Sequence, residues 1–271
     1  MSPRDASVVL TGAAGGLGSA IARRLFEEGA SLLLVGRSEA PLLALAQSLS
    51  VGARDRSRVD ALVVDVTNDA GRAAVVDAAG ARNANVLINN AAVAAFGPAQ
   101  ALQSDEARRL METNVVAPMM LTAGMLPLLL TRPRAQVLNI GSTLGSLGVP
   151  GFSAYAASKA ALRIYSEALR RELADSCVRV QYYAPRAIDT PFNTPEVQAF
   201  NKETDSASDS PEKIAQAVSR LLQSGAAQRY AGGFEAIAAR LNGFCPEWLD
   251  AAFAKHRRAL MSLKFPTGSS S

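Results

Sequence analysis

The sequence predicts an α/β protein in which a doubly wound parallel sheet forms the middle of three layers. Three observations support this fold class. Short apolar segments rich in β-branched residues recur through the first 183 residues. Helix-forming segments separate them, which is the alternation that builds a parallel sheet covered on both faces. A glycine-rich turn, residues 11–18, joins the first of these strands to the first helix, as is typical of doubly wound sheets.

The apolar segments are mostly continuous rather than alternating, which is typical of strands covered on both faces. Segments with helical periodicity lie between them. The predicted strands are 7–11, 31–35, 59–64, 86–89, 136–141 and 178–183, and the predicted helices are 17–28, 39–49, 70–81, 105–131 and 152–176.

The pattern loosens in the last third of the chain. Residues 193–210 are rich in polar side chains and are predicted to form a mobile surface segment, before a helix over 211–223. Residues 233–264 are helical in pattern, with a break near 243–246. We therefore predict one domain, with residues 1–232 as its core and 233–271 as its C-terminal helical extension and tail.

Composition limits the class of protein. The net charge is +4, but the basic residues are scattered, so no nucleic-acid partner is predicted. Cys177 and Cys245 lack metal-binding spacing, so we predict free thiols and no metal site. No apolar signal core follows the N-terminus, and the apolar run 115–130 contains prolines and is shorter than the ~20 residues of a membrane span. These features predict a cytoplasmic protein without a transmembrane segment.

The glycine turn predicts a phosphate-binding site. Gly12, Gly16 and Gly18 lie between a strand and an Ala- and Leu-rich helix. Glycine permits the tight turn and lets backbone N–H groups approach a pyrophosphate at the helix N-terminus. A purely structural turn is the alternative, and the flanking strand and helix favour a bound dinucleotide.

Tyr155 and Lys159 predict proton transfer to or from a carbonyl oxygen. Their i, i+4 spacing places both side chains on one face of a helix. A phenol has a pKa of about 10 and needs a stabilised phenolate to work near neutrality. A nearby ammonium and an oxidised nicotinamide both supply the positive charge that does this. Beside a hydroxyl such as Ser142, the pair predicts hydride-transfer chemistry.

Taken in order along the chain, these motifs resemble the short-chain dehydrogenases/reductases over roughly residues 6–225. The turn matches that family's TGxxxGxG pattern, and Asn89-Asn90-Ala91-Ala92 resembles its Asn-Asn-Ala-Gly motif, with Ala92 in place of glycine. The resemblance implies a Rossmann-like fold. It also implies that Gly12, Gly15, Gly16, Leu17, Gly18, Arg37, Ser38, Asp65, Val66, Asn90, Ala91, Tyr155, Lys159, Pro185 and Thr190 bind the cofactor.

The same resemblance implies four catalytic residues. Tyr155 exchanges the proton, Lys159 also holds the nicotinamide ribose, Ser142 hydrogen-bonds the carbonyl, and Asn114 positions a water in the proton relay. Arg186 replaces the family's usual glycine after Pro185. Its side chain either points to solvent or contacts cofactor phosphates or a substrate anion.

The second strand indicates which dinucleotide binds. It ends in Gly36-Arg37-Ser38 without the carboxylate that accepts from the ribose 2′-hydroxyl of NAD. Arg37 and Ser38 suit a 2′-phosphate. The sequence therefore favours NADP(H) over NAD(H).

The substrate is less well defined. Phe192, Val197 and Phe200 are candidates to line an apolar pocket, and His256, the only histidine, is given no catalytic role. The C-terminal helices either pack on the core or on another subunit, or they cap a lipid-like or β-ketoacyl substrate and contact a membrane surface or an acyl carrier. A homodimer through helices 105–131 and 152–176 is predicted.

Two functions follow. The first is an NADP(H)-dependent oxidoreductase that interconverts a ketone or aldehyde and an alcohol. The alternative is a catalytically silent NADP(H)-sensing binding protein on the same fold, which the retained Tyr155 and Lys159 disfavour.

Overall fold

The structure, a computed structural model, describes residues 1–51, 55–190 and 193–263. A π-helical turn, Glu112–Val116, joins helices α4 and α5. The strands are β1 Ser7–Thr11, β2 Ser31–Gly36, β3 Val59–Val63, β4 Val86–Asn89, β5 Ala135–Ile140, β6 Val178–Ala184, β7 Ala187–Ile188, β8 Ser208–Asp209 and β9 Gln228–Tyr230. The helices are α1 Gly16–Glu27, α2 Glu39–Ser50, α3 Asp69–Ala81, α4 Ser104–Met111, α5 Ala117–Leu130, α6 Ser153–Glu172, α7 Pro195–Glu203, α8 Pro211–Ser224, α9 Gly233–Phe244 and α10 Ala254–Ser262.

Within the described residues, seven strands form one parallel sheet in the order β3-β2-β1-β4-β5-β6-β9. Val9 of β1 lies opposite Leu33 of β2 and Leu87 of β4. The order of connection reverses between β1 and β4, so the loops after these strands run apart and leave a crevice at the carboxyl edge of the sheet. The glycine turn 11–18 lies at this edge, directly after β1.

The sheet separates two apolar layers. Along β1, Val8 and Leu10 belong to the layer that includes α1, α2 and α8, whereas Val9 belongs to the layer that includes α3 and α5. This alternation follows from the period of two in a β-strand. The predicted three-layer doubly wound fold is confirmed.

The predicted strands are all present, with ends that shift by one residue at most. Helix α6 ends at Glu172 rather than at 176. Residues 228–230 form β9 and pair in parallel with β6 through Tyr182 and Gln228.

The segment 193–210, which was predicted to be a mobile surface segment, contains the regular elements α7 and β8. Thr194 caps α7 by accepting a hydrogen bond from the Val197 N–H, and Pro195 starts the helix. Val197 and Phe200 are buried while the polar positions face outward. A largely polar composition hid this narrow apolar stripe. Phe192 lies outside the described residues.

The apolar segment 115–130 belongs to the long helix that was predicted over 105–131. The π-helical turn joins α4 and α5 into one helical stretch, Ser104–Leu130, of 27 residues. By length and composition alone this stretch could cross a membrane. Half of its most apolar window is buried within the fold, and Leu121 and Met125 pack under the sheet. A core helix explains this burial.

Candidate active site

A cavity of about 770 Å³ lies at the carboxyl edge of the sheet. Predicted cofactor-binding residues that follow β1 to β4 line one part of this cavity, and predicted site residues that follow β5 and β6 line another part. The lining includes Gly12, Gly15, Gly16, Leu17, Gly18, Arg37, Ser38, Asp65, Val66, Asn90, Ala91, Ser142, Tyr155, Lys159, Pro185 and Thr190. Of the residues predicted for the site, Asn114 alone is not in this lining.

Two glycines in the turn after β1 have conformations or contacts that other residues would disturb. Gly12 has φ +63°, and a Cβ there would lie 2.8 Å from the Ala91 Cα. A Cβ on Gly18 would lie 2.1 Å from the Gly12 carbonyl oxygen. Glycine therefore allows the turn, the start of α1 and the loop after β4 to approach one another.

Thr11 and Asn90 hold this turn from behind. The Thr11 Oγ1 accepts hydrogen bonds of 3.0 Å from the backbone N–H groups of Asn90 and Ala91. The Asn90 Nδ2 donates to the carbonyl oxygens of Thr11 at 3.0 Å and Gly12 at 3.2 Å. The Asn90 side chain thus fixes the glycine turn.

Helix α1 begins without a side-chain cap, because its N-cap is Gly15. The first N–H groups of a helix have no partner within it and carry a partial positive charge. At the wall of this cavity they form an anion-binding surface that suits a pyrophosphate.

Arg37, at the end of β2, is 58% exposed at the mouth of the cavity. Its Nη1 lies 3.9 Å from the Asp65 Oδ2, at the limit of an ion pair. Burial opposes ionisation of Asp65, but hydrogen bonds from the Thr67 N–H and hydroxyl, with the charge of Arg37, lower its pKa. The Arg37 guanidinium is therefore only weakly held and keeps donors for a ligand.

Tyr155, Lys159 and Ser142 converge at the other end of the cavity. The Lys159 Nζ donates to the Ile140 carbonyl oxygen at 3.2 Å and lies 5.7 Å from the centroid of the Tyr155 ring. Lys159 is 3% exposed, and burial lowers its pKa to about 8. Burial raises the pKa of Tyr155 to about 12, and a hydrogen bond with Ser142 partly opposes this. The phenol is thus protonated near neutrality and lies beside an ammonium that is still mainly charged.

Two glycines and a buried tyrosine fix the relative position of Ser142 and α6. The Tyr182 Oη lies 3.3 Å from both the N and the O of Ser142. A Cβ on Gly141 would lie 2.0 Å from this Oη, and one on Gly145 would lie 2.8 Å from the Lys159 carbonyl oxygen. The strand that carries Ser142 and the helix that carries Lys159 therefore approach closely.

Asn114 lies behind the cavity in the π-helical turn and is 1% exposed. Its Oδ1 accepts from the Val93 N–H at 2.8 Å, and its Nδ2 donates to the Val93 carbonyl oxygen at 2.9 Å and to the Ser158 Oγ at 3.0 Å. Ser158 in turn donates to the Tyr155 carbonyl oxygen at 2.7 Å. In this structure the Asn114 side chain ties the loop after β4 to the turn of α6 that carries Tyr155. π-helical turns are frequent at functional sites.

Arg186 does not simply point to solvent, because its side chain is 22% exposed, lines the cavity and is paired with acidic residues. Its guanidinium forms a bidentate pair with Asp209, with two N–O distances of 2.8 Å, and lies 3.3 Å from the Glu235 Oε1. Lys213 also contacts Asp209, at 2.6 Å. The bidentate hydrogen bonds from Arg186 hold the pKa of Asp209 below its usual range. Arg186 therefore joins the loop after β6 to β8 and to α9. The sequence could not indicate this because the partners are 23 and 49 residues away.

Arg186→Met and Asp209→Asn are each expected to lower the free energy of unfolding by about 2–3 kcal/mol. The Asp209 side chain is 3% exposed, so Arg186→Met removes the bidentate partner of a buried carboxylate, and Asp209→Asn removes the carboxylate that neutralises Arg186. At this chain length that corresponds to roughly 4–12 °C in Tm. Denaturant unfolding measures both. Arg171→Met is the control, since its pair with Glu167 is at the surface. Unfolding free energies equal to that of the control would contradict this role.

The C-terminal helices close the cavity on the side away from the glycine turn. Ala238 of α9 lines it, together with Leu249, Phe253 and His256. Val197 and Phe200 of α7 also line it, as the sequence predicted. Sequence reasoning gave His256 no place in the site, because nothing local indicates that α10 returns to the cavity.

A model of the family described as short chain dehydrogenase matches residues 6–200. The chain belongs to this family. It is 36% identical over 189 residues to sulfoacetaldehyde reductase 2 of Chromohalobacter salexigens, a match that covers 68% of this chain and 73% of that protein. The chain is therefore a short-chain dehydrogenase/reductase, a member of an oxidoreductase family.

Two solved short-chain dehydrogenase structures share the fold. One, from Burkholderia phymatum in complex with NAD, has a TM-score of 0.82 at 23% identity, and the match covers 92% of this chain and 96% of that chain. Another, from Burkholderia cenocepacia in complex with NADP, has a TM-score of 0.78 at 25% identity, and the match covers 94% of this chain and 99% of that chain. Because the two carry different dinucleotides, the cofactor preference of this dehydrogenase depends on its own residues.

Proposed function

We propose that this short-chain dehydrogenase reduces a ketone or aldehyde to an alcohol with NADPH, and catalyses the reverse reaction with NADP⁺. One observation carries the proposal. The Tyr155 phenol, the Ser142 hydroxyl and the buried Lys159 ammonium line one end of a cavity whose other end is the glycine turn. A proton donor and a dinucleotide-binding surface therefore face the same space.

In this proposal Tyr155 is the proton donor and Ser142 orients the substrate. A carbonyl oxygen within reach of both hydroxyls would accept two hydrogen bonds, and these strengthen as negative charge develops on it. Tyr155 then gives up its proton to that oxygen. Lys159 stabilises the resulting phenolate by its charge, 5.7 Å from the ring centroid.

The residues of the cavity fit a phosphorylated dinucleotide. Gly12 and Gly18 leave room that a Cβ would fill, and the uncapped start of α1 presents N–H groups suited to a pyrophosphate. The weak contact between Arg37 and Asp65 leaves guanidinium donors for a 2′-phosphate. Asp65 and Val66 suit the adenine end, while Lys159 suits the nicotinamide ribose. When bound, the nicotinamide supplies the hydride for reduction.

Arg37→Ala is expected to raise the dissociation constant for NADPH about 10–100-fold, the equivalent of one charge-assisted hydrogen-bonded contact. The dissociation constant for NADH should change by less than about threefold, because it lacks the phosphate that Arg37 would hold. Titration of the two nucleotides by quenching of protein fluorescence measures both. Equal effects on NADPH and NADH would contradict selection by Arg37.

The catalytically silent sensing protein remains the second candidate. Stoichiometric NADPH binding without oxidation, across a panel of aldehydes, steroids, sugars and β-ketoacyl thioesters, would favour it. The retained Tyr155 phenol favours the enzyme, because it lines the cavity with Ser142 and Lys159 and binding of NADPH alone does not require a proton donor there.

We also propose a homodimer through the stretch 104–130 and α6. Met111, Val116, Met120 and Leu130 on the first, and Ile164 on the second, are large apolar side chains exposed at this surface. Sedimentation equilibrium tests the dimer, and a monomer at all concentrations would contradict it.

A further inference from the structure

The end of the cavity beyond Tyr155 is lined by the aromatic rings of Phe152 and Phe200. Phe96 packs against both, and the three rings, called here the phenylalanine cluster, have centroids 4.7, 5.1 and 5.9 Å apart in tilted and edge-to-face arrangements. The Tyr155 ring lies 6.4 Å from Phe152. Such a surface favours flat, apolar rings.

His256 lies at the far end of this aromatic surface. Its ring centroid is 5.7 Å from Phe200 and 5.2 Å from Phe253. From Tyr155 to His256 the path takes three ring-to-ring steps of about 6 Å each, through Phe152 and Phe200. Both ends line the same cavity. A ligand with its carbonyl at Tyr155 and one or two rings behind it would therefore reach toward His256.

The imidazole of His256 is a polar group in the cavity lining that has no hydrogen-bond partner in the described residues. Among the described residues, no hydrogen bond or ion pair involves either of its nitrogens, and Nδ1 is buried without a partner. Burial and the neighbouring charge of Lys255 lower the pKa of His256, so the ring is neutral at neutral pH. Polar groups inside proteins are normally hydrogen-bonded, and an unpaired one in a cavity wall invites a ligand.

The chemistry of a neutral imidazole limits the group that pairs with it. One nitrogen donates and the other accepts, and rotation of the ring about the Cβ–Cγ bond exchanges their positions. A hydroxyl can both donate and accept, so it pairs with either nitrogen. An anion is disfavoured, because the neighbouring Lys255 ammonium is already paired with the Asp205 carboxylate, which itself lines the cavity.

We propose that the substrate is an uncharged aromatic or alicyclic carbonyl compound with a hydroxyl group at the end remote from its carbonyl, and that His256 hydrogen-bonds this hydroxyl. This deepens the proposed function and rests on it. The phenylalanine cluster holds the rings, Tyr155 faces the carbonyl, and α10 supplies the specificity through one side chain.

Matched ketones test the proposal directly. The pairs are para-hydroxyphenylbutanone with phenylbutanone, and hydroxyacetylbiphenyl with acetylbiphenyl, which supply two ligand lengths. The wild-type holoenzyme is expected to favour the hydroxylated member of at least one pair by 10-fold or more in kcat/KM. His256→Phe should abolish this preference by lowering kcat/KM for the hydroxylated ketone. His256→Gln, which keeps a donor and an acceptor, should restore part of it.

Met261→Ala, on the exposed face of the same helix, is the control and should retain the preference. Calorimetric binding of each ketone to the NADPH complex is measured alongside turnover. A preference in binding without turnover would contradict the proposed function but support the role of His256. Equal kcat/KM values and equal dissociation constants for the two ketones of each pair with the wild type would overturn the inference, and so would an unchanged preference in His256→Phe. The wild-type comparison does not depend on the folding of any variant.

Discussion

Tyr155→Phe is expected to lower kcat/KM for carbonyl reduction by about 10³-fold, within the range that a positioned general acid contributes. The substitution removes the phenolic proton and keeps the ring that packs against Phe152. Both kcat and kcat/KM should fall together, because the lost proton transfer acts in the transition state. Steady-state oxidation of NADPH at 340 nm measures this.

The matched control is Tyr165→Phe, on the same helix. Its hydroxyl makes a long contact of 3.5 Å with the Met119 carbonyl oxygen and lies outside the cavity lining. This variant should retain activity within about twofold. The NADPH dissociation constant of Tyr155→Phe should change by less than about threefold. A Tyr155→Phe enzyme with more than a tenth of wild-type activity would contradict the assigned proton donor.

Lys159→Met is also expected to lower kcat/KM by about 10³-fold, because it removes the charge that stabilises the Tyr155 phenolate. The protein should nevertheless be at least as stable as wild type. Burial lowers the pKa of Lys159 from 10.5 to about 8, which means that the fold disfavours its charged form. Activity and thermal unfolding measured on one preparation separate these effects. Lost activity with a marked loss of stability would indicate a structural role instead.

The same shift predicts a pH dependence for the wild type. A lysine with a lowered pKa is charged below about pH 8 and neutral above it. Reductive kcat/KM should therefore fall as pH rises through about 8, as the charge beside Tyr155 is lost. The free energy of unfolding should rise as pH increases from about 8 to 10.5. In this range the unfolded chain still binds the lysine proton while the folded protein has released it, and deprotonation relieves the cost of burial.

The sequence predicted the sheet well because its signals are local. Each buried strand is a continuous apolar run, as in 86–89, and strands of a parallel sheet need no distant partner to be recognised. Gly12 and Gly18 were identified for the same reason, since a tight turn between a strand and a helix demands them locally. The i, i+4 spacing likewise placed Tyr155 and Lys159 on one helix face.

What the sequence did not reveal depends on contacts between distant segments. The Gly141 position is fixed by the Tyr182 ring, 41 residues later, and Arg186 is neutralised by Asp209 and Glu235. Neither pairing has a periodic pattern. His256 was set aside because its neighbours in sequence are basic and exposed, whereas the fold turns its ring toward Phe200. Polar composition also concealed α7, whose apolar stripe is only two residues wide.

The central claim is that Tyr155 protonates a carbonyl oxygen while hydride arrives from NADPH. Single-turnover reduction with NADPH deuterated on the transferring face, followed by mass spectrometry of the alcohol, tests it most directly. The account predicts one deuterium on the carbinol carbon with the wild type, and with Tyr155→Phe a rate of alcohol formation about 10³-fold lower, although both bind NADPH. Deuterated alcohol formed at the same rate by both proteins, or NADPH bound by the wild type with no alcohol from any carbonyl tested, would contradict it.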